Sequence, residues 1–263
     1  MQDLKITYIQ SPLVWEKPEE NRNWFSEVIN KINEKTDLII LPEMFNTGFS
    51  MRPEITAEKM NGKTVQWMKE MAEKKSCVIT GSLAIEEQGK YFNRLIWMRP
   101  DGSYSTYDKR HLFRHGHENA HYEVGTQKLI VELKGWKICP LVCYDLRFPV
   151  WSRNRQINGK ASYDLLIYVA NWPEVRNFPW KTLLIARAIE NQAFVVGVNR
   201  VGKDGNDMPH LGDSAVMSFK GELLSQVNSG KDLTETISLS YQALADFRSA
   251  FPVGLDADEF SLE

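Results

Sequence analysis

Trp136–Val142 is a run of almost uninterrupted apolar character that stops abruptly at Cys143-Tyr144-Asp145-Leu146-Arg147, and that change limits how the chain can fold. Ile138, Leu141 and Val142 suit a buried strand, whereas Tyr144, Asp145 and Arg147 are costly to bury unless each finds a partner. Pro149 then opens a new element at a position where a missing N–H costs little. The segment reads as a strand-to-helix corner, with the Cys143 sulfur at the strand's carboxyl end and backbone N–H groups directed toward it. Such N–H groups lower a thiol pKa and can hold an oxyanion. The competing reading is that Cys143 is one more small buried hydrophobe.

Elsewhere strand-like and helix-like segments alternate. Residues 5–10 read as a strand, and residues 16–34, with Trp24, Phe25, Val28, Ile29 and Ile32 at helical spacing, as an amphipathic helix. A short strand over 37–41 precedes a second helix over 58–75. Strands over 77–85 and 90–98 form a hairpin, a turn at 100–102 leads into 104–107, and 128–133 pairs with 137–142 around Gly135. A helix starts near Val150, a strand covers 164–170, a helix 178–191 and a strand 193–199. Residues 208–219 and 222–226 form a closing hairpin about Lys220-Gly221. This mixture of βαβ units and hairpins predicts mixed rather than purely parallel sheets, in stacked layers. No repeat or linker interrupts residues 1–263, so a single domain is expected.

With 263 residues and 43% hydrophobic content the chain can bury a sizeable core. A net charge of −2 without a basic block gives no reason to expect a nucleic acid partner. No apolar run approaches membrane-spanning length, and the start of the chain reads as a first strand rather than a signal peptide. Three cysteines, an odd number, argue for free thiols in a reducing cytoplasm. Cys139 and Cys143 are roughly 13 Å apart at strand rise, too far for a disulfide. His111, His115, His117 and His121 crowd one loop without ligand spacing, so solvated or hydrogen-bonding histidines are expected rather than a metal site.

Three further stretches resemble the Cys143 corner. L-I-I-L-P-E-M-F puts Glu43 just past a buried strand, behind a proline that fixes the turn, where a carboxylate must be paired or act as a base. Y-S-T-Y-D-K-R-H-L-F sets Lys109 beyond a β-rich run; alone it is an ordinary surface lysine. A-N-W-P, at 170–173, is another strand exit. Together they put a carboxylate, an ammonium and a thiol at strand ends, where α/β folds collect their chemistry.

L-P-E-M-F, Y-D-K-R-H-L-F and V-C-Y-D-L-R-F-P, in that order, resemble the nitrilase superfamily of carbon–nitrogen hydrolases, and the resemblance runs from the first strand to Gly212-Asp213-Ser214. It implies a four-layer αββα sandwich and a triad of Glu43, Lys109 and Cys143, with Glu118 as a second glutamate and Glu123 the alternative. In the implied chemistry Glu43 is the general base, the Lys109 ammonium and Tyr144 N–H hold the oxyanion, and no metal or cofactor is needed. The ammonium and the backbone N–H groups are expected to favour the thiolate. Within the superfamily, C-Y-D-L-R-F-P-V-W followed by A-N-W-P is most similar to omega-amidases, implying 2-oxoglutaramate or 2-oxosuccinamate as substrate. Arg147 then becomes the candidate carboxylate clamp, against the alternative that it pairs with Asp145, and Phe45, Trp172 and Tyr144 become candidate pocket walls. An amidase for another amide or an N-carbamoyl amine, and an inactive binding module, are the rival readings. The resemblance also implies a homodimer formed through 150–158, 178–190 and the tail, 241–263.

Overall fold

The computed structural model describes residues 1–226, 228–258 and 260–261, so that Glu259, Leu262 and Glu263 of the expected interface tail lie outside the described residues. Two mixed sheets form the centre. One runs, in spatial order, Leu233–Leu239, Leu4–Gln10, Leu38–Ile40, Val78–Glu87, Lys90–Met98, Tyr104–Asp108. The other runs Ala215–Met217, Phe194–Asn199, Leu165–Ala170, Trp136–Val142, Val131–Leu133. Each has three parallel strands at its heart and antiparallel strands toward its edges.

Period-two alternation decides what covers each face. In the first sheet Leu4, Ile6, Tyr8, Leu38, Leu95 and Trp97 point into the core shared with the second sheet. Their neighbours Ile9, Ile39, Ile79, Ile96 and Met98 point the other way. That outer face is covered by helices Pro18–Asn30 and Lys63–Lys75 through Phe25, Ile29, Val65, Met68 and Met71. Helix Asn177–Asn191 covers the second sheet with Trp180, Leu184 and Ala188. It lies so close that a Cβ at Gly197 would meet Leu184 and Trp180 within 2.8 Å. The layers are therefore helix, sheet, sheet, helix, a nitrilase-type sandwich as expected.

Several elements differ from expectation for identifiable reasons. The first helix begins at Pro18, suited to a first helical turn, and ends at Asn30. The second begins only at Lys63, because residues before Gly62 run beside Ile85 and the Glu58 carboxylate takes the Thr64 N–H at 2.7 Å. The helix near Val150 is one turn, Pro149–Ser152. Strand Leu233–Leu239, in no expected element, pairs antiparallel along the whole of Leu4–Gln10; its Thr-Glu-Thr centre hides the strand pattern. In the tail, Leu244 and Phe247 of helix Tyr241–Ala250 pack on the chain's own core, with the Phe247 ring tilted against Phe219 at 4.9 Å between centroids, whereas Phe251 and Leu255 stay exposed. No helix among the described residues is long and apolar enough to cross a membrane.

Candidate active site

The carboxyl ends of the central strands of both sheets meet at one point. Leu38–Ile40 leads to Glu43, Trp136–Val142 to Cys143 and Leu165–Ala170 to Asn171. Lys109 follows Tyr104–Asp108 directly. Glu43, Lys109 and Glu118 are all fully buried. The Lys109 ammonium donates to Glu43 Oε1 at 2.8 Å and to Glu118 Oε1 and Oε2 at 3.0 and 2.9 Å. Glu123, the alternative to Glu118, is exposed and sits 3.6 Å from Lys90 at the surface.

Two asparagines complete the cluster. Asn93 donates from one amide nitrogen to both Glu43 Oε1 and Glu118 Oε1, at 2.8 and 3.0 Å. The Asn171 backbone N–H donates to Glu43 Oε2 at 2.8 Å, and its side chain donates to the Glu43 carbonyl. The Phe113 N–H adds a 2.6 Å bond to Glu118 Oε2. Sequence reasoning missed Asn93, which stands between Phe92 and Arg94 just ahead of the apolar run L-I-W-M in strand Lys90–Met98. The A-N-W-P strand exit did mark Asn171.

Burial alone would lower the Lys109 pKa, but the charges of Glu118 and Glu43 outweigh it and raise it well above the ordinary lysine value. Burial likewise raises the Glu118 carboxyl, with Lys109 pulling it down and Glu43 pushing it up. Cys143 adopts φ +44° at the head of the turn Cys143–Arg147, a strained conformation for a side chain with a Cβ. Its thiol pKa is raised well above 9.0, first by burial and then by the negative Glu43, against the smaller pull of Lys109 and the Asn171 backbone. The direction of this shift runs against the expected favoured thiolate and toward a resting thiol.

Asp145 ties this corner to the lysine segment. Its carboxylate accepts from the Tyr107 hydroxyl at 2.7 Å, the Val142 N–H at 3.0 Å and the His111 N–H at 3.0 Å, with the His111 ring nitrogen at 2.8 Å. Asp145 is thus fully engaged without Arg147. The Arg147 guanidinium instead lies over the Trp172 ring at 5.1 Å, with no ion pair among the described residues.

Cys143, Tyr144, Arg147 and Trp172 open onto one cavity of about 290 Å³, walled also by Phe49 and Phe113. Phe45 is not on that wall. It is fully buried on the far side of the first sheet, 5.6 Å from both Phe25 and Trp67, because the turn at Met44, φ +41°, sends it under the helices. Phe49, four residues on, takes the wall position and lies 5.1 Å from the Lys109 ammonium. Among the described residues no three His, Cys, Asp or Glu side chains are grouped as a metal ion would need.

Known proteins match along nearly the whole chain. The carbon-nitrogen hydrolase family model matches residues 5–246. An omega-amidase YafV of Escherichia coli is 45% identical over 262 residues, all of both chains, and a 2-oxoglutaramate amidase of Bacillus subtilis is 31% identical, over 94% of this chain and 95% of that one. The crystal structure of XC1258 from Xanthomonas campestris, a CN-hydrolase superfamily protein with an arsenic adduct in its active site, superposes over the full length of both chains with a TM-score of 0.97 at 45% identity. Nit3 of Saccharomyces cerevisiae, of the nitrilase superfamily, shares the fold at a TM-score of 0.82 and 21% identity, over 96% of this chain and 95% of its own. Family model, relatives and sandwich agree with the strand-end cluster: this chain belongs to the carbon-nitrogen hydrolase family.

Proposed function

We propose that the protein is an omega-amidase that hydrolyses the terminal amide of a small 2-oxo acid, such as 2-oxoglutaramate, to the dicarboxylate and ammonia. The observation that carries this reading is the buried Glu43–Lys109–Glu118 cluster meeting Cys143 beside a cavity that is also lined by Arg147, which has no ion pair among the described residues. The printed activities of the YafV and Bacillus subtilis relatives support the substrate class.

In this mechanism the neutral Cys143 thiol gives its proton to Glu43 as the sulfur attacks the amide carbon. The oxyanion is held by the Lys109 ammonium and the Tyr144 N–H, each worth on the order of 3 kcal/mol. Lys109 serves as an electrostatic group and not as a base, because its two carboxylate neighbours keep it protonated. Collapse breaks the carbon–nitrogen bond, Glu43 returns the proton to the departing ammonia, and a thioester remains on Cys143. Glu43 then takes a proton from water, whose oxygen attacks the thioester, and the released sulfur recovers that proton. Glu118 holds Lys109 in place throughout. Arg147, stacked on Trp172, clamps the substrate carboxylate.

The same reading includes a cytoplasmic enzyme, in keeping with three free thiols at Cys77, Cys139 and Cys143. It also includes a homodimer formed through the face of helix Asn177–Asn191 that leaves Phe178 78% exposed and Ile189 53% exposed.

The test is ammonia release from 2-oxoglutaramate beside L-glutamine, propionamide and an N-carbamoyl amino acid. Preference for the 2-oxo acid amide, lost in Cys143→Ala, is the expected result. Turnover of another panel member alone would keep the triad and replace the substrate. No turnover of any would favour a binding module.

A further inference from the structure

The cavity holds a second arginine that the mechanism above does not use. Arg176 ends the turn Glu174–Arg176, four residues past Trp172, and lines the same 290 Å³ space as Arg147. Its backbone is fixed to the pocket wall, because its carbonyl accepts the Trp172 indole N–H at 2.7 Å. Its guanidinium lies over the Phe113 ring at 5.2 Å. Phe113 is itself pinned, its N–H donating to Glu118. The two arginines thus rest on two different walls of one small cavity, each on an aromatic face.

Neither has an ion pair among the described residues. Asp204, the one carboxylate on the cavity wall among the described residues, has its Oδ1 taken up by its own loop, accepting the N–H groups of Asn206 at 2.8 Å and Met208 at 3.0 Å, and makes no ion pair with either arginine. Two half-buried like charges facing a narrow space repel each other, and a ligand that brings negative oxygen to both relieves that repulsion. A single carboxylate satisfies one guanidinium fork. A 2-oxo carboxylate offers a third oxygen close by, coplanar with the first two.

Resting on the omega-amidase reading, we propose that Arg176 binds the 2-oxo oxygen while Arg147 binds the carboxylate, so that Arg176 is the residue that separates 2-oxo acid amides from amino acid amides. In L-glutamine an ammonium replaces the 2-oxo group and would face the Arg176 guanidinium, a like-charge contact in a desolvated site. In glutaramate a methylene replaces it, and the guanidinium keeps its hydrogen-bonding capacity unused.

Steady-state kinetics of the full-length protein on 2-oxoglutaramate, glutaramate, L-glutamine and propionamide test this. In Arg176→Gln, KM for 2-oxoglutaramate rises about 10- to 100-fold with kcat within about 3-fold, and preference for it over glutamine falls by a comparable factor. Propionamide turnover, which reports an intact triad, stays within about 2-fold of wild type. Arg176→Lys keeps the rejection of glutamine, which needs only charge, but not the low KM, which needs the planar fork. Unchanged selectivity in Arg176→Gln, or equal loss on all four amides, overturns the assignment and leaves the omega-amidase reading standing. Wild-type turnover of propionamide without turnover of 2-oxoglutaramate overturns both.

Discussion

Lys109 is a cation sealed from water between two carboxylates, and its fixed charge decides how Cys143 can work. A raised thiol pKa means that nucleophile formation must be coupled to proton transfer to Glu43 rather than preceding it. Alkylation of Cys143 by iodoacetamide in the absence of substrate is therefore expected to be slow at neutral pH and to rise only at a pH above that of an ordinary cysteine. A flat profile through neutrality would refute the resting thiol. Glu43→Gln removes the charge that, after burial, raises the thiol most, so the alkylation midpoint moves down while turnover falls by about 100- to 10,000-fold. The same shift carries a stability consequence. A thiol whose pKa is raised in the folded state contributes stability that is present below the ordinary thiol value and is lost as pH climbs from there through the folded value. Cys143→Ala is thus expected to flatten the alkaline limb of stability in urea titrations. Glu43, Lys109 and Cys143 were legible as a set because each follows a strand exit, although Lys109 alone reads as a surface lysine and Cys143 alone as a small buried hydrophobe. Asn93 was not, since beside Arg94 in mid-strand it reads as one more outward-facing polar residue. Phe45 misled because proximity to Glu43 in sequence says nothing about the positive φ of Met44 that turns it away.

At the scale of elements, the turn Cys143–Arg147 and the segment after Tyr104–Asp108 are locked together by one carboxylate. Asp145→Ala would leave the Tyr107 hydroxyl and the Val142 and His111 N–H groups without their partner in a buried site, a loss of about 3–5 kcal/mol. Equilibrium denaturation should show it, and kcat should drop as well because Cys143 and Lys109 lose their common reference. A substitution that left stability untouched would mean the corner is held otherwise. The sequence announced this corner but not its wiring. Arg147 and Asp145 are two residues apart and of opposite charge, so pairing was a fair alternative. Backbone geometry sends one into the core and the other onto Trp172. The polar Leu233–Leu239 strand was illegible for a related reason, as its Thr7–Thr236 and Tyr8–Glu235 partners lie more than 220 residues away.

For the whole molecule, the last helix is fastened rather than free. Arg248 reaches Asp164 at 2.7 Å and the carbonyls of Gln192 and Tyr163 at 2.8 Å, which ties Tyr241–Ala250 to the second sheet. Arg248→Ala should lower stability by about 1–3 kcal/mol in the same denaturation assay, with little change in KM. On the proposed dimer, Phe178→Glu with Ile189→Glu should halve the mass seen by sedimentation, and a wild-type monomer would end that proposal. Glu43 follows a strand of one sheet, and the Asn171 N–H that donates to its Oε2 follows a strand of the other. The active centre is consequently a seam. Neither half of the chain carries it alone, so no partly assembled form can be a slow enzyme. During refolding, ammonia release should appear with the last phase of tertiary docking and never ahead of it, which makes catalysis itself a stopwatch for the closing of the sandwich.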